Sequence, residues 1–548
     1  MAYFSMHAYD ADVWIPSFLG LNQASDDGNQ DVRYAAEENN LETVNGALQP
    51  RAALTVFPEE LEAPIETLAW FYRRWYEGEG SKGWMIAASG GKIYYKQVGE
   101  RTAWSSIELP DGIDAFSSND WSWVTYEDNT NPDKTIDVVI MSNAKDGMIM
   151  IKPPDAPFTW NSVKSHYWSY YYSDDSDDTN DKTWQDMMTE AWSIDPMEID
   201  PLGEEDIAFG TIERSNERIW GGCIPNYPDR LIYSRPYDPA DWSQAGSEEQ
   251  PEDGAGEVLQ PTWDGDSFTA LKQFGDQLLA FKQRGIWRIL GTDPGRYEFK
   301  QQYGGGTPFA KTIAVDVERV YFVDENGPQV YDGQSVSPYA REQIRKIWQT
   351  VNRDAMDQMC AVLHEHRYYL SFPTGDSTVN NAMLVIDMQT GSILYHDDIY
   401  IESLLTTPDG LFATTSKDPL RVLEINYDSW KTKKTDGAAT RWVSPWMDFG
   451  YKRIQKGGFD LYFSPEAYKE PVKLKLSIQT EKKTKTKEYT VQPLTEAQIA
   501  ANKEYKYKKL HFGGTGRKFR VILETDKGMA APWRIVGGLH LVVETDPD

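Results

Sequence analysis

Cys223 and Cys360 are the only cysteines in 548 residues. Two thiols cannot build a disulfide framework, so the chain reads as a product of a reducing cytoplasm. No apolar run approaches the roughly 18 residues that a membrane-crossing helix needs, so no membrane insertion is expected. The opening Met1-Ala-Tyr-Phe-Ser-Met-His-Ala-Tyr-Asp10 lacks the basic start and apolar core of a secretory leader. Sustained 3.6-residue apolar periodicity is scarce, which argues against a helical fold. Gly-x-Ser-x-Gly elbows, Cys/His nucleophile arrangements and sialidase-type Asp boxes are missing. Gly304-Gly-Gly306 has no Lys or Ser after it, so it reads as a blade-to-blade turn and not a phosphate loop.

What is abundant is aromatic and turn-forming. There are 20 Trp, 31 Tyr and 20 Phe beside 41 Gly and 30 Pro, a composition of strands and turns. A strand–turn–strand phrase recurs at Gln277–Gly291, Val320–Asp332 and Met383–Tyr395. Its turns carry Gln-Arg-Gly, Glu-Asn-Gly and Gln-Thr-Gly, where Gly and Asn accept the positive φ of short hairpins. One apolar residue taken from each phrase gives Tyr94, Ile140, Tyr233, Phe281, Phe322, Leu370 and Phe412, spaced 46, 93, 48, 41, 48 and 42 residues apart. Four-stranded propeller blades occupy about 40–50 residues, and the 93-residue gap spans roughly two such lengths.

The expected fold is mainly β, a β-propeller-like body with an insertion, plus a C-terminal β-sandwich. Residues 1–60 read as an extended arm that wraps a neighbour, and 61–152 as the first part of the propeller. Residues 153–206 read as an insertion, 207–430 as the remainder of the propeller and 431–548 as the sandwich. The insertion holds His166-Tyr-Trp-Ser-Tyr-Tyr-Tyr172, an acidic run and a short helix at Thr183–Trp192. Ser243–Gln260 reads as a polar loop. In the last domain Val472–Ile478 alternates apolar and polar residues, as a strand with one wet face does, and Thr495–Ala501 reads as helical.

Charge is divided unevenly. The net charge is −30, yet residues 431–548 hold 23 Lys+Arg and 14 Asp+Glu, or +9. Residues 1–430 therefore hold 32 basic and 71 acidic residues, or −39. Such a body is unsuited to gripping DNA, and the basic C-terminal part can dock on an acidic neighbour.

Candidate metal ligands are few. His364 and His366, if both lie on one strand, point to the same face and can meet one ion, but no third ligand is marked and an ordinary blade strand is the favoured reading. The run Asp174, Asp175, Asp177 and Asp178 offers carboxylates for Ca²⁺ but lacks the Gly and distal Glu of an EF-hand loop. Acids beside Trp, as in Asp120-Trp-Ser-Trp123 and Asp241-Trp242, single out no glycosidase pair, and the Trp residues read as core. No catalytic residue, metal or cofactor is expected.

Several phrases carry a family resemblance: Trp220-Gly-Gly-Cys-Ile-Pro-Asn-Tyr-Pro-Asp-Arg-Leu-Ile-Tyr-Ser-Arg235, Pro239-Ala-Asp-Trp242, Gly285-Ile-Trp-Arg-Ile-Leu-Gly-Thr-Asp293 and Val320–Gly333. Phe18-Leu-Gly-Leu-Asn22 with Asn45-Gly46 and Arg51, and Trp442-Val-Ser-Pro-Trp-Met-Asp-Phe-Gly450, add to it. Over about three quarters of its length the chain resembles the β-propeller tail-hub proteins of short-tailed bacteriophages, also called tail-nozzle or packaged-DNA stabilisation proteins. The resemblance implies a homohexameric ring below portal and adaptor proteins, made in the host cytoplasm and placed in the virion tail. Tail fibres or a plug protein would adjoin it, and DNA would pass through without specific binding. The competing reading is a carbohydrate-binding or glycan-degrading propeller at a cell surface. A cytoplasmic scaffold propeller would need WD-type signatures, and these are missing.

Overall fold

Short turns join strand to strand through most of this chain, and antiparallel meanders are the result. In the computed structural model the described residues are 9–24, 30–51, 53–73, 82–98, 103–128, 136–153, 193–197, 207–242, 254–259, 265–292, 296–302, 304–426, 435–449, 455–495, 497–498 and 507–546. Among them are seven four-stranded antiparallel sheets, the blades of a propeller-like body, and two larger sheets that form a sandwich. Each of the seven apolar anchors read from sequence falls in a different blade. Across the 93-residue spacing Ile140 lies on the second strand of its blade and Tyr233 on the third of the next described one, and residues 154–192 between them lie outside the described residues.

Contacts divide the chain into two compact units. One comprises 57–337 and 403–422, the other 1–56, 338–402 and 423–548. The first unit holds five whole blades. Blade 1 begins with Ile65–Arg73, blade 2 with Ser122–Asp128, blade 3 with Thr211–Ser215, blade 4 with Phe268–Phe274 and blade 5 with Ala314–Val315. The period-2 geometry of a strand explains how they pack. On Ile136–Asn143, Val139 and Met141 join a core with Phe71 and Ile86 of blade 1. Their neighbours Val138 and Ile140 join Ile219 and Trp242 of blade 3. Gln277–Lys282 repeats the device: Leu278 and Ala280 pack with Trp220 and Leu231, Leu279 and Phe281 with Val320 and Phe322. Inner strands covered on both faces are mostly apolar, and every residue of Arg218–Gly222 and Gln277–Lys282 is buried, with polar Arg218, Gln277 and Lys282 only at the strand ends.

Hydroxyls stitch one blade to the link that opens the next. Thr67 Oγ1 donates to the Asn119 carbonyl at 2.7 Å, Ser142 Oγ to Phe209 at 2.9 Å and Thr269 Oγ1 to Thr307 at 2.7 Å. Cys223 Sγ lies 3.1 Å from the Phe268 carbonyl, and in the other unit Ser371 Oγ donates to Ile401 at 3.1 Å. The Asn119, Phe209, Thr307 and Ile401 carbonyls lie outside the strands and need a donor once buried.

Two expectations about hairpins change. Of the three signature turns, Gly327 (φ +131°) and Gly391 (φ +70°) use positive φ, while Gly285 and Asn326 do not. Carboxylates hold the turns: Asp324 Oδ1 accepts from the N–H groups of Asn326 and Gly327, and Asp387 Oδ1 from Gln389 and Thr390. Asp266 accepts from Gln283 and Arg284.

The second unit holds blade 6, whose strands are Cys360–His364, Arg367–Phe372, Ala382–Asp387 and Ile393–Asp397, and the sandwich. Blade 7 is the sheet ordered Ser403–Thr407, Gly410–Thr414, Val422–Asn426 and Ala53–Val56, so its fourth strand comes from early in the chain. The first sandwich sheet runs in the order Leu41–Val44, Ala47–Pro50, Trp533–Asp546, Gln455–Ala467, Lys508–Gly516, with Tyr9–Ile15 also paired to Trp533–Asp546. The second runs Glu37–Asn39, Thr440–Val443, Phe519–Thr525, Val472–Thr480, Thr484–Val491.

Residues 9–50 are therefore part of the sandwich, where the sequence reading had an arm wrapping a neighbour. Phe18 is fully buried and meets Trp442 edge-on, ring centres 5.3 Å apart. Gly20 (φ +87°) passes so close to the 392–393 backbone that a Cβ would stand 2.6 Å from the Ile393 carbonyl, which fixes the residue type in Phe-Leu-Gly-Leu-Asn. The alternation read at 472–478 holds: Val472, Leu474, Leu476 and Ile478 are buried.

Ser193–Met197, assigned to the insertion, is the fourth strand of blade 2, and Gly256–Leu259, assigned to a loop, is the fourth of blade 3. Residues 154–192 and 198–206, including the helix read at Thr183–Trp192, lie outside the described residues, as does most of Thr495–Ala501. Gly304-Gly-Gly306 lies between blades 4 and 5, as read.

Candidate functional site

Two features of the sandwich unit carry most of its polar chemistry. The first is a buried knot around Arg51. Asn40, at φ +56°, turns the chain between two edge strands, and Arg51 follows the Ala47–Pro50 strand. The guanidinium donates twice to Asp436 Oδ2, at 2.8 and 2.5 Å, and to Asn40 Oδ1 and the Asp397 carbonyl, both at 2.6 Å. Asn40 Nδ2 donates to Asp397 Oδ1, and Asn39 Nδ2 to Asp397 Oδ2 at 3.0 Å. Arg51 is 4 % exposed, so these partners replace its water. The knot ties blade 6 to the first strands of the sandwich. Beside it His396 is buried with no hydrogen bond on either ring nitrogen. Burial, with Arg51 as the nearest charge, holds its pKa well below the usual imidazole value. Glu38, also buried with both oxygens unpartnered, is pushed well above the usual carboxylate range by burial. Burial thus favours the uncharged form of each side chain.

The second feature is the opposite edge. Thr484–Val491 and Lys508–Gly516 are the outer strands of the two sheets, and nearly every residue of Thr484–Val491 is exposed. Lys485 and Lys487 reach from one strand over the other: Lys487 Nζ lies 5.7 Å from the Phe512 ring centre, and a Cβ on Gly513 would stand 3.5 Å from Lys485 Nζ. Segments 481–491 and 507–518 hold eight basic residues and two acidic ones. Lysines one strand further in, or facing an acid, are matched: Lys473 with Glu488 at 2.8 Å, Lys475 with Asp526 at 2.6 Å, Lys509 with Asp460 at 2.9 Å. Lys482, Lys483, Lys485 and Lys508 have no acidic partner among the described residues. The strands at the other edge hold Asp10, Asp12, Glu37, Glu38 and Glu42 and no Lys or Arg, with Glu37 paired to Arg441 at 3.1 Å and Asp12 to His540 at 2.9 Å.

In the blade-rich unit a pocket is lined by Phe57, Met85, Lys96, Val98, Trp104 and Phe412 among others. Lys96 pairs with Glu59 at 2.9 Å and lies 4.9 Å from the Phe57 ring centre. Its cavity of about 20 Å³ has room for one water, far short of a sugar ring.

The residues singled out from sequence do not converge. His364 ends a strand, but Glu365 and His366, at φ +46° and +63°, form the following two-residue turn. The shared strand face expected for the two imidazoles therefore does not exist, because the hairpin turns one residue earlier than the pattern suggested. His364 is half-buried, which lowers its pKa. Among the described residues no three His, Cys, Asp or Glu side chains are grouped to hold a metal. Asp174, Asp175, Asp177 and Asp178 lie outside the described residues. Trp121, Trp220, Trp242, Trp442 and Trp533 are buried, as core tryptophans are. Asp120 pairs with Lys311 and Asp241 with Arg235, each an ordinary surface ion pair. Cys223 is partly buried, and desolvation pushes its thiol pKa up to about 12, away from the reactive thiolate. Sequence reasoning missed His396 and Glu38, which no local pattern marks. It named Arg51 without a role.

Compared with models of protein families the chain matches none, and no curated protein matches it. Among solved structures it is similar to the structure titled BBS1N in complex with ARL6DN, at 9 % identity and TM-score 0.37, over 69 % of this chain and 99 % of that one. It is likewise similar to the Pan2 WD40 domain of Neurospora crassa, at 9 % identity and TM-score 0.36, over 70 % and 96 %. The propeller assignment rests on the four-stranded sheets themselves.

Proposed function

We propose that this chain is a structural protein of a short-tailed phage tail, a hub or nozzle that forms a ring below the portal and adaptor. In this reading it retains packaged DNA and serves as its exit channel, with no catalytic residue involved. The observation that carries the reading is where the family-like phrases fall. Trp220–Arg235 runs through the second and third strands of blade 3, Gly285–Asp293 covers the third strand of blade 4, and Val320–Gly333 covers the second and third of blade 5. The phrases are thus repeated at matching places in successive blades. Charge supports it independently. A conduit must let the duplex slide, and 71 acidic against 32 basic residues over 1–430 favours repulsion of phosphate over its capture.

Mass spectrometry of purified particles from the source, quantifying this chain against the portal protein, tests the reading. A fixed ratio typical of a tail ring is expected. Absence from particles defeats it and turns attention to glycan binding and hydrolysis by the isolated protein.

A further inference from the structure

We infer that the basic edge of the sandwich is a docking surface for an acidic face of a second copy of this chain. The inference rests on the ring reading and deepens it by naming the surface through which copies join. Three observations carry it.

The first is polarity within one domain. The strands of residues 9–50 that close one side of both sheets carry Asp10, Asp12, Glu37, Glu38 and Glu42 and no Lys or Arg, while the lysine-bearing strands close the other. A body with opposite charge on opposite sides is complementary to a copy of itself in a head-to-tail sense. Heterologous contacts of this kind close into rings when the rotation allows.

The second is the mismatch confined to the rim. Lysine on an edge strand commonly guards against edge-to-edge pairing. Here Lys482, Lys483, Lys485 and Lys508 have no acid among the described residues, although lysines nearby on the same sheets have one each. Like charges gathered in one place repel, and an acidic partner relieves that repulsion.

The third is shape. Lys485 and Lys487 are laid across Phe512-Gly513-Gly514, where two glycines leave a floor without side chains. Lys485 and Lys487 thus reach across from one edge strand to the other. The same chain supplies the counterpart charge, with a net −39 over residues 1–430.

The test uses the full chain and a quadruple variant, Lys482→Glu, Lys483→Glu, Lys485→Glu and Lys508→Glu. Sedimentation velocity is run over a micromolar concentration range at low and high salt, with thermal melting to check the fold. Wild-type self-association should weaken with salt, and the variant's association constant should fall at least about tenfold at low salt with melting unchanged. Equal association of the two chains overturns the inference but leaves the ring reading standing. A wild type that stays monomeric at low salt also overturns it, and the ring reading then rests on particle stoichiometry. Binding to duplex DNA that the variant loses, with self-association intact, overturns it in favour of a nucleic-acid partner.

Discussion

At one edge of the sandwich, Glu37–Asn39 and Leu41–Val44 close the two sheets with strands from early in the chain, and at the other Thr484–Val491 and Lys508–Gly516 close them with lysine. The first edge is sealed. Arg51, Asn40, Asp397 and Asp436 satisfy one another there, and Phe18 fills the core against Trp442. At the second edge Lys482, Lys483, Lys485 and Lys508 have no acidic partner among the described residues. The difference teaches that a domain can use one edge for its own closure and hold the other for a partner. It also separates residues whose loss should unfold the protein from residues whose loss should only unlink it.

The largest effects belong to the sealed edge. Arg51→Met removes five hydrogen bonds from a nearly dry site and strands the Asp436 carboxylate. A loss of about 3–5 kcal/mol is expected in urea denaturation followed by tryptophan fluorescence. Phe18→Ala should cost a similar amount, about 3–5 kcal/mol, by opening a cavity beside Trp442. Were residues 9–50 a detachable arm, the same change would leave the midpoint of unfolding where it was.

Smaller effects are expected in the blades. Ser142→Ala leaves the buried Phe209 carbonyl without its side-chain donor, for about 1–3 kcal/mol, read from the same denaturation curves. If that link is held by strand packing alone, the curves will superimpose.

Acidity probes the sealed edge from two sides. The folded-state pKa of His396 lies below the ordinary 6.5, so the unfolded chain takes up its proton first, and stability falls as pH drops below about 6.5. Glu38 works in the other direction. Its folded pKa lies above the ordinary 4.5, so the unfolded chain releases its proton first, and stability falls as pH rises above about 4.5. Melting temperatures from pH 4.5 to 8 should show His396→Leu flattening the acid limb, while Glu38→Met raises stability most at high pH. Parallel curves for wild type and variants would show that neither group titrates differently on folding. The smallest effect on stability belongs to the open edge, where charge reversal of the four rim lysines should leave the melting temperature unchanged.

Much of this was legible in the residues. Turn chemistry and 40–50-residue spacing mark blades because each blade is a local hairpin series, and Val472–Thr480 shows its buried face in its alternation. What was not legible depends on pairing across hundreds of residues. Ala53–Val56 gives no sign that it pairs with Val422–Asn426, nor Tyr9–Ile15 that it pairs with Trp533–Asp546. The apparent charge break at 431 had the same cause, since the acids of 9–50 fold into the basic domain. His366 was misjudged by one residue of turn, and in a strand one residue reverses the face.

Cryo-electron microscopy of purified particles from the source is the decisive observation. A ring of repeated copies, each showing four-stranded blades and a sandwich, seated in the tail below the portal, is the predicted density. Intact tails with no such density would contradict the assignment of this chain to the tail.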